Sequence, residues 1–304
     1  MDISIIIVNW NTRELLRNCI ASIMNTVQGP FFEIIVVDNA SADGSVAMLR
    51  ENFPEVDVIE NRENRGFGAA NNQAMRIMNG RYALLLNSDT VLCEHAVGNL
   101  FAFMENHADA AMACGQLLNA DGSRQNSIAS FPSLFTLMMN TSLLEYLFPK
   151  RFPSKRYPCA TPREVDSCIG ACLMVRKKAI DAVGMFDERY FFFFEETDWA
   201  LQMKKAGWTS WQVPDAEVYH LQGQSIGRNV RSREAFYRSR YQFFRKWKPR
   251  TFYSIFRTVT VVRLSVNLLL TVLGNLMTLG LNQGLRDKLF VYGKLMEMHI
   301  KGII

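Results

Sequence analysis

The chain has 304 residues, 49% of them hydrophobic and 21% charged, with a formal net charge of +5. That length buries one sizeable core, or one core plus an appendage, and the composition suits a globular protein with some membrane affinity. The six cysteines (19, 93, 114, 159, 168 and 172) form no CxxC pair and have no metal-type spacing with the four histidines, which argues against a cysteine–histidine metal centre and for reduced thiols in the cytoplasm.

Residues 3–8, a short β-branched run closed by Asn9-Trp10-Asn11, read as a buried strand beginning directly after Met1-Asp2, so no signal peptide is expected. Thr12 is placed to cap a helix whose apolar positions Leu15, Leu16, Cys19, Ile20, Ile23 and Met24 recur at helical spacing. Residues 33–37 predict a second strand ended by Asp38-Asn39, 43–52 a helix, 56–60 a strand, 66–78 a helix and 82–86 a strand. Such alternation with short links predicts parallel strands in an α/β sheet, with ligands at the carboxyl ends of the strands. Asn9, Asp38 and Asp89 all fall at such ends.

Beyond residue 110 the pattern loosens. Asp121-Gly122 marks a turn, and residues 131–162, rich in proline and aromatic residues without a period, read as an insertion or lid. Residues 165–175 are strand-like and carry Cys168 and Cys172 as buried thiols. A helix is predicted over 195–206, terminated by Gly207, then short strands over 209–213 and 217–220. Between Arg228 and Arg257 ten Arg or Lys residues accompany a single acid, Glu234. That run fits a solvated face or a surface that meets anionic headgroups or phosphates. No nucleic-acid-binding motif accompanies it, so nucleic acid is not an expected partner.

Residues 258–281 are long enough to span a bilayer, but a central arginine, here Arg263, costs about 2.5–3.5 kcal/mol while each Leu or Val returns about 0.3–0.6 kcal/mol. Arg263, Asn267, Thr271, Asn275 and Thr278 recur at spacings of three or four, a polar stripe beside a broad apolar face. A helix lying in the membrane interface has that pattern, and so has one packed in a homo-oligomer; the interfacial placement is preferred over a span.

Two acidic clusters carry the chemistry. Asn87-Ser88-Asp89 follows the predicted strand over 82–86, where a hard oxygen ligand can hold Mg²⁺ or Mn²⁺ against the two phosphates of a nucleoside diphosphate; the plainer reading is that Asp89-Thr90 begins a helix. Asp38 is placed to accept from the imide N–H of a uracil or thymine, or else to open a turn. In the second cluster, Glu195-Glu196-Thr197-Asp198 follows four phenylalanines. The helix dipole favours acids in a first turn, so one or two of these need no further role. Residues 195 and 198 share a helix face while 196 points about 100° away, and the aromatic run can desolvate one carboxyl and raise its pKa toward that of a general base. His220 is a structural hydrogen-bonder unless it converges on Asp89.

These segments, in this order, resemble glycosyltransferase family 2, the inverting GT-A nucleotide-sugar transferases, over about residues 3–225. The resemblance rests on Ser4-Ile5-Ile6-Ile7-Val8-Asn9-Trp10-Asn11, Val36-Val37-Asp38-Asn39-Ala40-Ser41, Asn64-Arg65-Gly66-Phe67-Gly68 and Leu86-Asn87-Ser88-Asp89. It continues through Gly170-Ala171-Cys172-Leu173-Met174-Val175-Arg176, Phe186-Asp187-Glu188, Phe193-Phe194-Glu195-Glu196-Thr197-Asp198 and His220-Leu221-Gln222-Gly223-Gln224-Ser225. Within the family the chain is most similar to bacterial rhamnosyltransferases of O-antigen and cell-wall polysaccharide assembly, through Asp121-Gly122, Gln125, Ser127 and Phe131-Pro132-Ser133.

The resemblance implies a GT-A catalytic domain over 1–225, with a Rossmann-like, mostly parallel central sheet flanked by helices, and a basic, amphipathic, membrane-associating helical region over 226–304. It implies donor-nucleotide contacts from Asn9, Asp38, Arg65, Asn87 and Ser88, a metal (Mg²⁺ or Mn²⁺) on Asp89 and His220, and Glu196 as catalytic base. Gly170, Glu195 and Asp198 fall at acceptor or supporting positions. Asn87 departs from the first acid of the usual motif, and Glu196 stands where many relatives have Asp. The expected reaction is inverting transfer, with rhamnose favoured, from a nucleoside-diphosphate sugar (TDP-rhamnose or a UDP-sugar) to a polyprenyl-diphosphate-linked acceptor at the cytoplasmic face of the inner membrane. Asn87 also motivates the alternative of a non-catalytic nucleotide-sugar-binding scaffold. A nucleotidyltransferase would carry a Gly-rich, Lys- or Arg-bearing loop after the first strand, and Asn9-Trp10-Asn11-Thr12 has none.

Overall fold

The computed structural model describes residues 1–139, 141–149, 151–154, 159–221 and 230–302; the Gln222-Gly223-Gln224-Ser225 end of the last motif lies outside them. The chain runs β1 (Ile3–Asn9), α1 (Arg13–Thr26), β2 (Phe32–Asp38), α2 (Ser45–Asn52), β3 (Asp57–Glu60), α3 (Phe67–Met75), β4 (Tyr82–Asn87), β5 (Thr90–Leu92), α4 (Ala96–Asn106) and β6 (Ala110–Leu118). It continues through β7 (Ile128–Ala129), α5 (Leu134–Met138), α6 (Thr141–Leu147), β8 (Arg163–Val165), β9 (Ser167–Cys168), β10 (Cys172–Arg176), α7 (Lys177–Val183), α8 (Glu195–Lys205) and β11 (Thr209–His220). Three helices follow: α9 (Val230–Trp247), α10 (Arg250–Met277) and α11 (Gln283–Ile300). Residues 1–131 with 141–225 form one compact unit, and residues 132–140 with 226–304 form the other.

In the first unit the apolar runs of β1, β2 and β4 are continuous because their sheet is covered on both faces. Ile3, Ile5, Ile7, Val36, Leu84 and Leu86 point to the side packed by Leu16 and Ile20 of α1, Leu49 of α2 and Leu100 of α4. Ile6, Ile35, Val37, Ala83 and Leu85 point to the side packed by Ala70 of α3, Ile180 of α7 and Trp199 of α8. Among the described residues the strand order is β3-β2-β1-β4-β10-β6-β11-β5, with β8 also paired to β11. β3, β2, β1 and β4 are mutually parallel. β10 runs antiparallel between β4 and β6, and β11 lies parallel to β6, so six strands share one direction. β5 and β8 pair antiparallel with β11, and β7 and β9 form a small separate ribbon.

Several predicted elements are drawn differently. Asp89-Thr90 opens a strand, β5, rather than a helix. The apolar segment 165–175 is broken into β8, β9 and β10, with a turn at 169–171. The two short strands predicted over 209–220 are one, β11, whose register against β6 shifts between Gln212 and Glu217. Thr12 stands at the start of α1 without a side-chain cap bond; its hydroxyl serves the site described below.

In the second unit α10 has 28 residues and is long and apolar enough, by length and composition alone, to cross a membrane. One apolar face is exposed, through Val262, Val266, Leu269, Leu273 and Leu276, with Leu269 59% and Leu276 67% accessible, while Phe256 is buried. Thr260, Leu264 and Thr271 are buried, and Asn267, Asn275 and Thr278 half-buried. Three members of the stripe bond back along the helix. Thr271 donates to the Asn267 carbonyl (2.7 Å), Asn275 to that of Thr271 (2.9 Å) and Thr278 to that of Gly274 (2.9 Å), the back-bonding by which such side chains find a partner within a helix. Arg263 lies off this seam, exposed. A Cβ on Gly274 would meet the Leu285 side chain of α11 at 3.2 Å, and Leu264 packs with Leu295 and Met298 of that helix.

The β6–β11 irregularity depends on Gly115, where an added Cβ would lie 2.1 Å from the Ala216 carbonyl oxygen. Gly115→Ala should cost about 1–3 kcal/mol, the usual range for overpacking, read as a lower urea midpoint. An unchanged midpoint would show that the two strands separate there freely.

Candidate active site

The carboxyl ends of β1, β2 and β4 meet in one hydrogen-bonded cluster. Asn9 and Asp38 are register partners, and Asn9 Nδ2 donates to Asp38 Oδ1 at 2.8 Å and to Ser41 Oγ at 3.1 Å. The second Asp38 oxygen accepts the Ser41 N–H at 2.8 Å. Thr12 Oγ1 donates to Asn9 Oδ1 (2.7 Å) and lies 2.7 Å from Ser88 Oγ, which ties the end of β1 to the segment after β4. The loops that follow are locked together, since Asn11, at φ +54°, accepts the Ala42 N–H at 2.7 Å; asparagine tolerates that left-handed backbone better than most residues. Each Asp38 oxygen keeps a second acceptor position, so the carboxylate is oriented without being used up.

Asn39, to which the sequence reading assigned no role, is buried beside Asp38. Its Nδ2 donates to the Gly66 carbonyl at 3.2 Å and its Oδ1 accepts from Asn61 at 2.9 Å. The signal was the Asn39…Asn61…Asn64 series, three amides in loops that must satisfy backbone without regular structure. Gly66 has φ +83°, and a Cβ there would lie 2.4 Å from the Phe191 carbonyl oxygen. That carbonyl accepts the Phe67 N–H at 3.1 Å. Arg65, next to this contact, is exposed.

Asp89, Asn87 and His220 converge. Antiparallel pairing sets His220 of β11 opposite Thr90 of β5, and the Leu221 N–H extends the ladder to the Asp89 carbonyl at 2.9 Å. His220 Nε2 lies 3.4 Å from Asp89 Oδ1 and 3.4 Å from Asn87 Nδ2, with Asp89 and His220 both buried. Gln125 holds the other side of the ring: its Nε2 donates to the His220 carbonyl at 2.6 Å, and its Oε1 lies 3.0 Å from Nδ1. Among the described residues no group of three or more His, Cys, Asp or Glu is arranged to hold a metal ion. One carboxylate and one imidazole suit a cation that takes its remaining ligands from substrate phosphates and water, and that donor set is present here.

The second acidic cluster divides as its helical spacing requires. Asp198 is fully buried and accepts from the Tyr190 hydroxyl at 3.1 Å and from Gln202 Nε2 at 2.7 Å, a structural commitment. Glu195 is buried and Glu196 half-buried, and Oε2 of each is buried without a hydrogen-bond partner. Burial, and then the neighbouring Glu196, push the Glu195 carboxyl well above the ordinary glutamate range. Burial also raises Glu196, opposed by its own N–H and that of Gly170. The two titrate as a pair. Phe193 and Phe194, directly before them, have φ of +69° and +72°, a conformation that costs bulky residues about 1–3 kcal/mol each and that clusters at functional sites.

The turn at 169–171 joins the two clusters. A Cβ on Gly170 would lie 3.9 Å from Glu196 Oε1 and 3.4 Å from the Phe67 ring. The next residue, Ala171, accepts the Asn87 N–H through its carbonyl at 3.0 Å. Asn9, Asp38 and Ser88 thus share one cluster, Asn87, Asp89 and His220 a second, and Gly170, Glu195 and Glu196 a third, with Asn87 and Gly170 linking the last two.

Residues 4–184 match the family model described as Glycosyl transferase family 2. Over 258 residues the chain is 28% identical to the N-acetylglucosaminyl-diphospho-decaprenol L-rhamnosyltransferase of Mycobacterium tuberculosis, covering 79% of this chain and 82% of that one. It is 24% identical over 227 residues to the low-salt glycan biosynthesis hexosyltransferase Agl10 of Haloferax volcanii, covering 73% of this chain and 67% of that one. Among solved structures, GalNAc-T7 with UDP, GalNAc and Mn²⁺ is similar with a TM-score of 0.60 at 14% identity, over 81% of this chain and 48% of that one. Residues 1–349 of S. aureus TarS give a TM-score of 0.53 at 16% identity, over 80% of this chain and 64% of that one. At those identities the two structures speak for the fold alone, and the chain spans less than two thirds of either. With the family model matched over more than half of its length, the chain belongs to glycosyl transferase family 2 and is a glycosyltransferase with a GT-A-like fold.

Proposed function

We propose that the chain transfers a sugar, L-rhamnose in the favoured case, from a nucleoside diphosphate (TDP-rhamnose or a UDP-sugar) to a polyprenyl-diphosphate-linked saccharide, with inversion at the anomeric carbon. The observation that carries the reading is the Gly170-Ala171 turn, with the Glu196 carboxylate on one side and the backbone of Asn87 on the other. The choice of sugar and acceptor rests on the similarity to the mycobacterial enzyme, whose name specifies both.

In this reading Asn9, Asp38 and Ser88 hold the nucleotide, and Arg65 offers exposed positive charge to its phosphates. A divalent cation, Mg²⁺ or Mn²⁺, held by Asp89 and His220 would supply neutralisation of the diphosphate as it leaves. The acceptor oxygen attacks the anomeric carbon from the face opposite the diphosphate. Its bond to carbon forms as the carbon–diphosphate bond breaks, and its proton passes to Glu196. Burial gives Glu196 the proton affinity this step needs, and Gly170 leaves room beside it. Glu195 and Asp198 support the first turn of α8 from beneath.

The second unit supports a membrane-peripheral placement at the cytoplasmic face. The outward apolar face of α10, its polar stripe bonded back in part along the helix, and the basic α9 together suit a helix hairpin lying in the headgroup region of an anionic bilayer.

Three outcomes test the proposal. Glu196→Gln should lower kcat by about 10²–10⁴-fold with donor KM within a few-fold of wild type, in a purified assay; near-normal transfer removes the base assignment. A base must be ionised to act, so kcat/KM should fall with decreasing pH through an acid limb above 4.5, the ordinary glutamate value that burial raises. A limb at or below 4.5 contradicts this. The full chain should float with vesicles of anionic lipid, and less so at high salt or as the Leu269→Glu, Leu273→Glu double variant. Equal flotation of wild type and variant would refute the interfacial placement of α10.

A further inference from the structure

We propose that Gln125 is a positioning residue that fixes the tautomer of His220, keeping the proton on Nδ1 and the Nε2 lone pair turned toward Asp89; the consequence for a bound cation rests on the reading of Asp89 and His220 as its ligands. The His220 backbone carbonyl can only accept, so the atom of Gln125 placed 2.6 Å from it must be the amide nitrogen. The amide oxygen is then the atom 3.0 Å from His220 Nδ1, and an oxygen acceptor there requires Nδ1 to carry the hydrogen. In a neutral ring Nε2 is consequently unprotonated, and it faces Asp89 Oδ1 at 3.4 Å and Asn87 Nδ2 at 3.4 Å.

A lone pair directed at a buried carboxylate is unfavourable unless something positive lies between them. The Asn87 amide supplies a partial positive charge through its N–H groups; a divalent cation supplies a full one. An Asp in place of Asn87 would set a second carboxylate against the same lone pair. The departure at Asn87 and the clamp at Gln125 are in this sense one arrangement.

Gln125 is itself held on both backbone atoms and cannot drift. Its N–H donates to the Leu117 carbonyl at 2.7 Å, and its carbonyl accepts from Gln116 Nε2 at 3.0 Å. Gln116 Oε1 accepts from Gln212 Nε2 at 3.2 Å, and Gln212 Oε1 from Arg163 Nε at 2.9 Å. Arginine can only donate, so the chain of amides has a fixed direction from its outer end. Gln116, Gln125 and Gln212 are all buried, where breaking such a relay leaves polar atoms unpaired. Outer-shell partners of this kind hold a ligating imidazole in one tautomer and orientation, and losing one costs about 10–100-fold in metal affinity.

The test is ¹⁵N NMR of histidine-labelled full-length protein at a pH where the imidazoles are neutral, with the His220 signals assigned from the His220→Gln difference spectrum. The wild type should show Nδ1 protonated and Nε2 bare; a protonated Nε2 overturns the proposal without recourse to any Gln125 variant. Gln125→Leu should shift His220 toward the Nε2–H form and weaken Mn²⁺ binding, measured by calorimetry with Mn²⁺ alone, by about 10–100-fold. Gln125→Glu, which keeps an acceptor for Nδ1–H, should retain the wild-type tautomer. Wild-type ring signals together with unchanged Mn²⁺ affinity in a folded Gln125→Leu protein would also overturn it. Nδ1–H signals in a wild type that binds no Mn²⁺ would support the clamp and refute the cation reading separately.

Discussion

Two adjacent residues, Gly170 and Ala171, hold the site together. Ala171 belongs to the sheet through its bond to Asn87, whereas Gly170 faces the first turn of α8 and the edge of Phe67. A side chain at 170 would point into the space between Glu196 and the aromatic ring. The turn links Asn87 to Glu196 directly, through the antiparallel β10 that follows it, the β4 strand that β10 pairs with, and the helix whose first acids it meets. The apolar runs of β4 and β10 fix the turn's height, because their register is set by residues buried on both faces.

The energetics of the two clusters differ in kind. Around Asp38 and Asn9 each polar atom has a partner, and the cluster is rigid because it is satisfied. Around Glu195 and Glu196 the reverse holds. Both carboxyls bury an unpartnered oxygen, both are pushed toward the protonated form, and the backbone that delivers them is strained at Phe193 and Phe194. Such an arrangement opposes folding and persists only because the surroundings are well packed, with the Trp199 and Phe186 rings in tilted contact, centroids 4.4 Å apart. In the proposed reaction a destabilised carboxylate would serve the proton-accepting step, whereas a nucleotide held at Asn9 and Asp38 would gain from a preformed end.

Much of this was legible in the sequence, and for physical reasons. The parallel half of the sheet showed as apolar runs, β-branched in β1 and β2 and leucine-rich in β4, and the strand ends showed through Asn9 and Asp38, with Asp89 in the turn just after β4. Helical geometry separated Glu196 from Glu195 and Asp198, and the burial of those two alone agrees with it. What stayed hidden were long-range pairings that leave no local trace. The Gln125 side chain meets His220 across 95 positions, and the Thr12 hydroxyl, read as a cap, turns instead to Asn9 and Ser88. The break of 165–175 into three strands falls at Asp166 and at the Gly170-Ala171 turn, polar and small residues that the reading of one strand-like segment passed over. The polar stripe of α10 and its broad apolar face were legible from spacing, but the place of Arg263, exposed and off the stripe, was not.

The central claim is that the two acidic clusters serve one reaction, a cation-assisted displacement at an anomeric carbon. The most direct measurement is the anomeric configuration of the product, determined by NMR for the purified full chain with TDP-rhamnose and a polyprenyl-diphosphate-linked acceptor, in Mn²⁺ and again after chelation. The expected product is inverted relative to the donor, formed in Mn²⁺ and lost on chelation. A retained configuration, or an undiminished rate in chelator, would contradict it.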